Sequence, residues 1–280
     1  MRSRECVVCV EFGSAPDEER EVESIELSLE GHIGIITLNS PKKLNALSHA
    51  LVEEVVSALR NFAERDARVV ILRARPGVKV WSAGHDVSEL PEGRRDPLGW
   101  DDPLRNLVRT IETYPAPVIA MIEGTVWGGA VETVLACDIV IAAPASTFAV
   151  TPARLGVPYN VSGMMTFMSA ASVRVVKELA FTAAPVSAER AERVGMINHV
   201  VELDELEKFT LGMAHTIADN APLSIRVMKE QLRVLTGAKP VSPRGFEKVQ
   251  GLRRVVYDSY DYAEGIRAFK EKRRPKYLGR

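Results

Sequence analysis

From Ala116 to Ala145 the chain reads 116-APVIAMIEGTVWGGAVETVLACDIVIAAPA-145, an apolar run whose charged residues are three acids, Glu123, Glu132 and Asp138. A membrane-spanning helix needs roughly 20 apolar residues with few or no charges. Three carboxylates spread through this run mark it as protein core instead. The glycine pair Gly128–Gly129 divides it. Residues 117–124 read as a buried strand, 125–138 as a glycine turn opening a short helix, and 138–143 as a second buried strand. Two buried strands separated by a helix call for a sheet covered on both faces, so the run restricts the fold to α/β layering.

The flanking pattern agrees. Residues 24–31 and 32–39 alternate or run apolar around Gly31 and predict paired strands. Ser48 is placed to cap a helix carrying Leu51, Val55, Leu59 and Phe62 on one face. A buried strand is expected at 68–74, followed by the loop 76-PGVKVWSAGHD-86. The polar stretch 91–103 reads as a mobile segment ahead of a helix starting near Leu104. Beyond about residue 162 the pattern is helical, with a brief strand at 198–202. The last helix, 260–274, carries Tyr262, Ile266 and Phe269 on one face and ends in a basic tail. Read as domains, the chain divides into a disordered leader (1–22), an α/β core (23–205) and a C-terminal helical region (206–280).

Composition excludes several functions. Of 280 residues, 46% are hydrophobic, and the formal net charge of −1 lacks the basic surplus that nucleic-acid phosphates require. Cys6 and Cys9 form a C-x-x-C without a second pair or a nearby histidine, so no zinc or redox site is expected and the thiols belong to a reducing compartment. No signal-peptide pattern opens the chain, and a cytoplasmic location is expected. The chain contains no G-x-G-x-x-G after a strand, no P-loop, no H-E-x-x-H and no G-x-S-x-G. Nucleotide-phosphate loops, zinc hydrolysis and serine hydrolysis lack support.

The chemistry rests on two glycine loops, 82-SAGHD-86 and 128-GGAVE-132. Glycine lets backbone approach a ligand closely, and the N–H groups that open a helix have no partner within it. Two such donors converging on one oxygen would stabilise an enolate, each contributing on the order of 3 kcal/mol to the transition state.

The run 117–159 resembles the crotonase (enoyl-CoA hydratase/isomerase) superfamily, as do 42-KKLNALS-48, 82-SAGHD-86 and 269-FKEKRRPKY-277. The resemblance extends from residue 24 to residue 280. It implies a crotonase-like spiral of ββα units with a C-terminal helical oligomerisation region, and a homotrimer or a homohexamer built as a dimer of trimers. It also implies an acyl-CoA thioester as substrate, its carbonyl held by the backbone N–H groups of His85 and Gly129. Lys43, Leu44, Ala46, Ala83, Asp86, Val87, Gly128, Pro152, Leu155, Phe269 and Lys272 are the residues it assigns to coenzyme A and the acyl chain. The imidazole of His85 invites a reading as general base, but the comparison assigns only its backbone to the carbonyl.

Hydratases of this family use two glutamates. One matches Glu132; the other falls in 151-TPA-153, where this chain has Ala153. A methyl group cannot carry a proton, so hydration is disfavoured. Further similarity at 89-ELPEGRRDPL-98, 126-VWGGA-130, 154-RLGVPYN-160, 177-KELAFTA-183 and 249-VQGLRRVVYDS-259 points to a biotin-independent branch that decarboxylates methylmalonyl-CoA to propionyl-CoA and CO2. Loss of CO2 needs no base. It needs the thioester oxygen stabilised and the carboxylate held upright by a neutral donor, for which Tyr159 suits. The proton that returns to the enolate could come from water, Tyr159 or Glu132. Ethylmalonyl-CoA decarboxylation, hydration or isomerisation, and a non-enzymatic CoA- or RNA-binding role are the competing readings. No biotin, metal or nicotinamide is implied, and neither nucleic acid nor membrane is expected as a partner.

Overall fold

The computed structural model describes residues 24–90, 96, 99–237 and 242–280. The leader, with Cys6 and Cys9, lies outside the described residues, as does most of 91–98. Strands β1 (Ile25–Glu30) and β2 (Ile33–Leu38) pair antiparallel across a turn in which Gly31 has φ 58°. Ser48 caps α1 (His49–Glu64), its hydroxyl accepting from Leu51 N at 3.3 Å. Then come β3 (Val69–Ala74), β4 (Val80–Ser82), α2 (Pro103–Thr113), β5 (Val118–Ile122), β6 (Thr125–Trp127), α3 (Gly129–Ala136), β7 (Ile139–Ala142) and β8 (Thr147–Ala149). Helices α4 (Val161–Ala170) and α5 (Val173–Thr182) precede β9 (Val186–Ser187), α6 (Ala188–Arg193) and β10 (His199–Val200). Four helices follow: α7 (Leu203–Asp219), α8 (Pro222–Gly237), α9 (Pro243–Tyr257) and α10 (Tyr260–Lys270).

The strands form two sheets. One has the order β1-β2-β3-β5-β7-β10 and is parallel apart from β1; the other has the order β4-β6-β8-β9 and is parallel apart from β9. In β3, Val70 and Leu72 face the cluster containing Leu51, Val55, Phe62 and Val108, whereas Val69 and Ile71 face Leu206 and Ala214 of α7. Both faces are therefore buried, which is why these strands read as continuous apolar runs. The second sheet escapes sequence reading because its strands are two or three residues long, too short to display a period of two.

Two expectations are corrected. The last helix stops at Lys270 rather than near 274, with Lys272 beyond it in left-handed backbone at φ 53°. Tyr262 and Ile266 are buried as predicted, but Phe269 at the helix end is 54% exposed, because the core stops short of it. Of the three acids in the apolar run, Glu123 accepts from Gly77 N at 2.9 Å, and Asp138 accepts from Val118 N and Lys229 Nζ, both at 2.7 Å. The third, Glu132, belongs to the site.

Candidate active site

The loop before α1 braces the loop after β4. Leu44 and Asn45 have left-handed backbone, φ 54° and 48°, a conformation asparagine tolerates better than most residues. The buried Asn45 side chain accepts from Ser40 N at 2.8 Å and donates to Trp81 O at 2.9 Å. Ser82 Oγ donates to Asn45 O at 2.7 Å and accepts from Gly84 N at 3.2 Å. Leu47 N donates to Gly84 O at 2.8 Å, and Asp86 N donates to Leu47 O at 3.4 Å. The peptides on either side of His85 are thus fixed, while the N–H of His85 donates to no protein acceptor among the described residues.

Gly129 provides the second free donor. Gly128 N donates to Ala149 O at 2.8 Å, and the next N–H, that of Gly129, opens α3 without a protein acceptor among the described residues. The two loops meet back to back. A Cβ on Gly84 would lie 2.4 Å from Trp127 O and 3.0 Å from Gly129 N; a Cβ on Gly129 would lie 3.5 Å from His85 N. Gly84 has φ +87° and Gly128 φ +54°. Only glycine meets both the torsion and the contact at 84. The pair of N–H groups, at the positive end of α3, is arranged so that it could donate to one negative oxygen.

These donors open onto a cleft of about 700 Å³. Its lining includes Lys43, Leu44, Ala46, Ala83, His85, Asp86 and Val87 from the first loops, Gly128 and Gly129 at the start of α3, Pro152, Leu155, Val157 and Tyr159 ahead of α4, and Phe269 from α10. Lys272, expected to contact substrate, is exposed, and Glu132, a candidate proton donor, is fully buried; neither lines the cleft. Leu104 and Arg154, not singled out from sequence, do line it.

The first turn of α2 packs against both donor loops, and sequence reading missed its role. Asp102 caps the helix, accepting from Arg105 N at 3.2 Å, and its other oxygen lies 3.0 Å from His85 Nε2. His85 Nδ1 lies 3.1 Å from Asp86 O, so both ring nitrogens face acceptors. Burial lowers the His85 pKa, but the hydrogen bond and charge of Asp102 and the Asp86 carbonyl outweigh it and raise the pKa above 6.5. Both ring nitrogens are thus engaged by protein acceptors, which favours the charged form of the ring.

Leu104 Cδ2 would lie 2.5 Å from a Cβ on Gly129, so the helix packs directly on that peptide. Arg105 forms a buried ion pair with Glu132 Oε1. Burial, partly offset by Arg105 and reinforced by Glu112 and Asp102, pushes the Glu132 pKa up to about 7. The available signal was an arginine placed beside the apolar stripe Leu104, Leu107, Val108 and Ile111.

Tyr159 stands at the start of α4. Its ring packs edge-on to Phe167, centroids 5.0 Å apart, and its hydroxyl donates a long hydrogen bond to Gly128 O at 3.4 Å. Burial, with the nearby Glu132 charge, raises its pKa well above 10, so it faces the cleft as a neutral donor. Ala153 is exposed and off the cleft wall, leaving Asp86 as the one carboxylate among the described lining residues. Asp86 is engaged by Ser88 N at 2.9 Å and Ser88 Oγ at 2.6 Å. Among the described residues no cluster of His, Cys, Asp and Glu could hold a metal ion, and no helix is long and apolar enough to cross a membrane.

The chain has counterparts among known proteins. Residues 28–280 match the family model described as enoyl-CoA hydratase/isomerase. Methylmalonyl-CoA decarboxylase of Escherichia coli (strain K12) is 52% identical over 247 residues, covering 88% of this chain and 95% of the relative. The human mitochondrial enoyl-CoA hydratase domain-containing protein 2 is 31% identical over 278 residues, covering 97% of this chain and 94% of the relative. A solved methylmalonyl-CoA decarboxylase in complex with 2-nitronate-propionyl-CoA superimposes with a TM-score of 0.91 at 50% identity, over 92% of this chain and 99% of that one. The match spans the core, both glycine loops and the C-terminal helices, and by it the chain belongs to the enoyl-CoA hydratase/isomerase family.

Proposed function

We infer that the protein decarboxylates methylmalonyl-CoA to propionyl-CoA and CO2. The observation that carries this reading is the split between two groups beside the oxyanion donors. Glu132, the acid a hydratase would use, is sealed against Arg105 away from the cleft, and the neutral Tyr159 hydroxyl faces it. The similarity to methylmalonyl-CoA decarboxylases in sequence and structure supports the same reading.

The thioester oxygen accepts from His85 N–H and Gly129 N–H. Tyr159 donates to the substrate carboxylate and keeps the breaking C–C bond across the thioester plane. As that bond breaks, its electron pair enters the thioester π system, CO2 leaves, and the growing charge on oxygen meets donors already in place. A cation in place of Tyr159 would hold the carboxylate more tightly than the departing CO2 and raise the barrier. The enolate then takes a proton at the α-carbon. Of the candidate donors, Tyr159 and water have access to the cleft, whereas Glu132 does not. The step calls for no biotin or metal. The apolar side chains exposed on α8 and α9, Leu223, Leu232, Leu235, Leu252 and Val255 among them, support assembly as a trimer or a dimer of trimers, which sedimentation velocity checks.

Mass spectrometry of the acyl-CoA pool, with chelator present, tests the activity. Methylmalonyl-CoA is expected to yield propionyl-CoA, and crotonyl-CoA supplied in parallel is expected to persist. Hydroxybutyryl-CoA from the second substrate, with no turnover of the first, would overturn the reading.

A further inference from the structure

Tyr159 is held on one side by its own helix. Asn160 Oδ1 caps α4, accepting from Gly163 N at 2.7 Å, and a Cβ on Gly163 would lie 2.7 Å from Tyr159 Cδ1, so the ring lies directly on the helix. The other side is held from α9, a helix remote in sequence. Arg253, 4% exposed, sends Nη2 to Asp96 Oδ1 at 2.6 Å and to the Tyr257 hydroxyl at 2.9 Å, and Nη1 to Gln250 Oε1 at 2.9 Å. A guanidinium only donates, so the Tyr257 oxygen accepts and its own hydrogen must point elsewhere. Two acceptors are in reach, Pro158 O at 3.2 Å and the Asp96 carboxylate, and the bond to Pro158 O ties the hydroxyl to the backbone. That carbonyl belongs to the peptide unit that ends in Tyr159 N, and proline offers no N–H of its own to anchor the backbone there.

We propose that Tyr257, aligned by Arg253, is a positioning residue for Tyr159: it fixes the Pro158–Tyr159 peptide and with it the direction in which the Tyr159 hydroxyl enters the cleft. The inference rests on the reading of Tyr159 as the donor to the substrate carboxylate. Tyr257 is itself buried, edge-on to Tyr262 at 5.3 Å between ring centroids, and does not line the cleft. Its effect passes through Tyr159 alone, and a shift of about 1 Å in a catalytic group is enough to cost roughly 100-fold in rate.

Tyr257→Phe keeps the ring in its packing and removes only the oxygen. Losing a hydrogen bond of ordinary strength is expected to lower kcat about tenfold. The dissociation constant for propionyl-CoA, which lacks the carboxylate that Tyr159 holds, should stay unchanged. The decisive comparison is a double-mutant cycle with Tyr159→Phe. Once the Tyr159 hydroxyl is gone, Tyr257→Phe should cost nothing further. Arg253→Lys, which loses the fork that grips Asp96 and Tyr257 together, should behave alike in the same cycle. Losses that multiply in the double variants, or a Tyr257→Phe enzyme with unchanged kcat, would overturn the proposal. Full activity in Tyr159→Phe itself would instead remove the reading on which it rests.

Discussion

Removing either member of the buried Arg105–Glu132 pair should have unequal consequences. The side chains are 6% and 0% exposed, and Glu132 Oε2 has no hydrogen-bond partner among the described residues. Glu132 titrates near 7 and can neutralise by taking up a proton if Arg105 is lost. A guanidinium cannot shed its charge. Glu132→Leu therefore leaves a stranded buried cation, at a cost of about 3–5 kcal/mol, whereas Arg105→Met leaves a neutral acid and costs less. Unfolding entropy near 2.1 cal/mol/K per residue gives roughly 0.6 kcal/mol/K for 280 residues, so Glu132→Leu should lower Tm by about 5–8 °C.

The double variant Arg105→Met/Glu132→Leu should recover most of that loss, since well-packed apolar replacements of buried pairs are often neutral or stabilising. The folded pKa of Glu132, about 7, lies above its ordinary 4.5. Its contribution is therefore complete below about pH 4.5 and lost as pH rises through about 7, a slope the double variant lacks. Differential scanning fluorimetry across pH reads both effects. Decarboxylation should survive in the double variant within about tenfold, because neither residue lines the cleft. Equal losses from the two single variants would refute the asymmetry. A folded double variant slowed more than about 100-fold would refute the exclusion of Glu132 from the chemistry.

Two further outcomes are expected. His85→Ala should keep much of the activity, because the donor is its backbone, while Gly129→Pro, which removes an N–H and forces atoms against Leu104, should abolish turnover without loss of the folded signal in far-ultraviolet circular dichroism; an inactive, folded His85→Ala would contradict this. The raised pKa of His85 means that its pairing with Asp102 stabilises fully below about pH 6.5 and is lost as pH rises through the folded value. Asp102→Asn, which keeps a helix-capping side chain, should flatten that part of the denaturation-midpoint profile, and an unchanged slope would sink the assignment.

Much of this was legible because it depends on local chemistry. The long apolar strands, the Ser48 cap and the glycine pair each obey rules that act over a few residues. Gly128 and Gly129 stood out because glycine at a strand-to-helix junction has few other uses. Asp102 and Arg105 were hidden for the opposite reason. Their partners, His85 and Glu132, lie on other elements, and an aspartate before Pro103 is fully explained by helix capping alone. Tyr257 was similarly concealed, since an aromatic on an amphipathic helix reads as core until its hydroxyl is seen against Pro158 O. The short second sheet was unreadable because three residues hold too little pattern.

The two unpaired donors have a use beyond turnover. An amide that donates to no protein acceptor trades its hydrogen with solvent readily, so in the empty cleft His85 and Gly129 should exchange faster than the bonded peptides of Leu47, Asp86 and Gly128 around them. A thioester oxygen seated between them would slow both at once. Deuterium uptake at these two positions would then serve as an isotopic gauge of cleft occupancy, one that also reports ligands the protein never turns over.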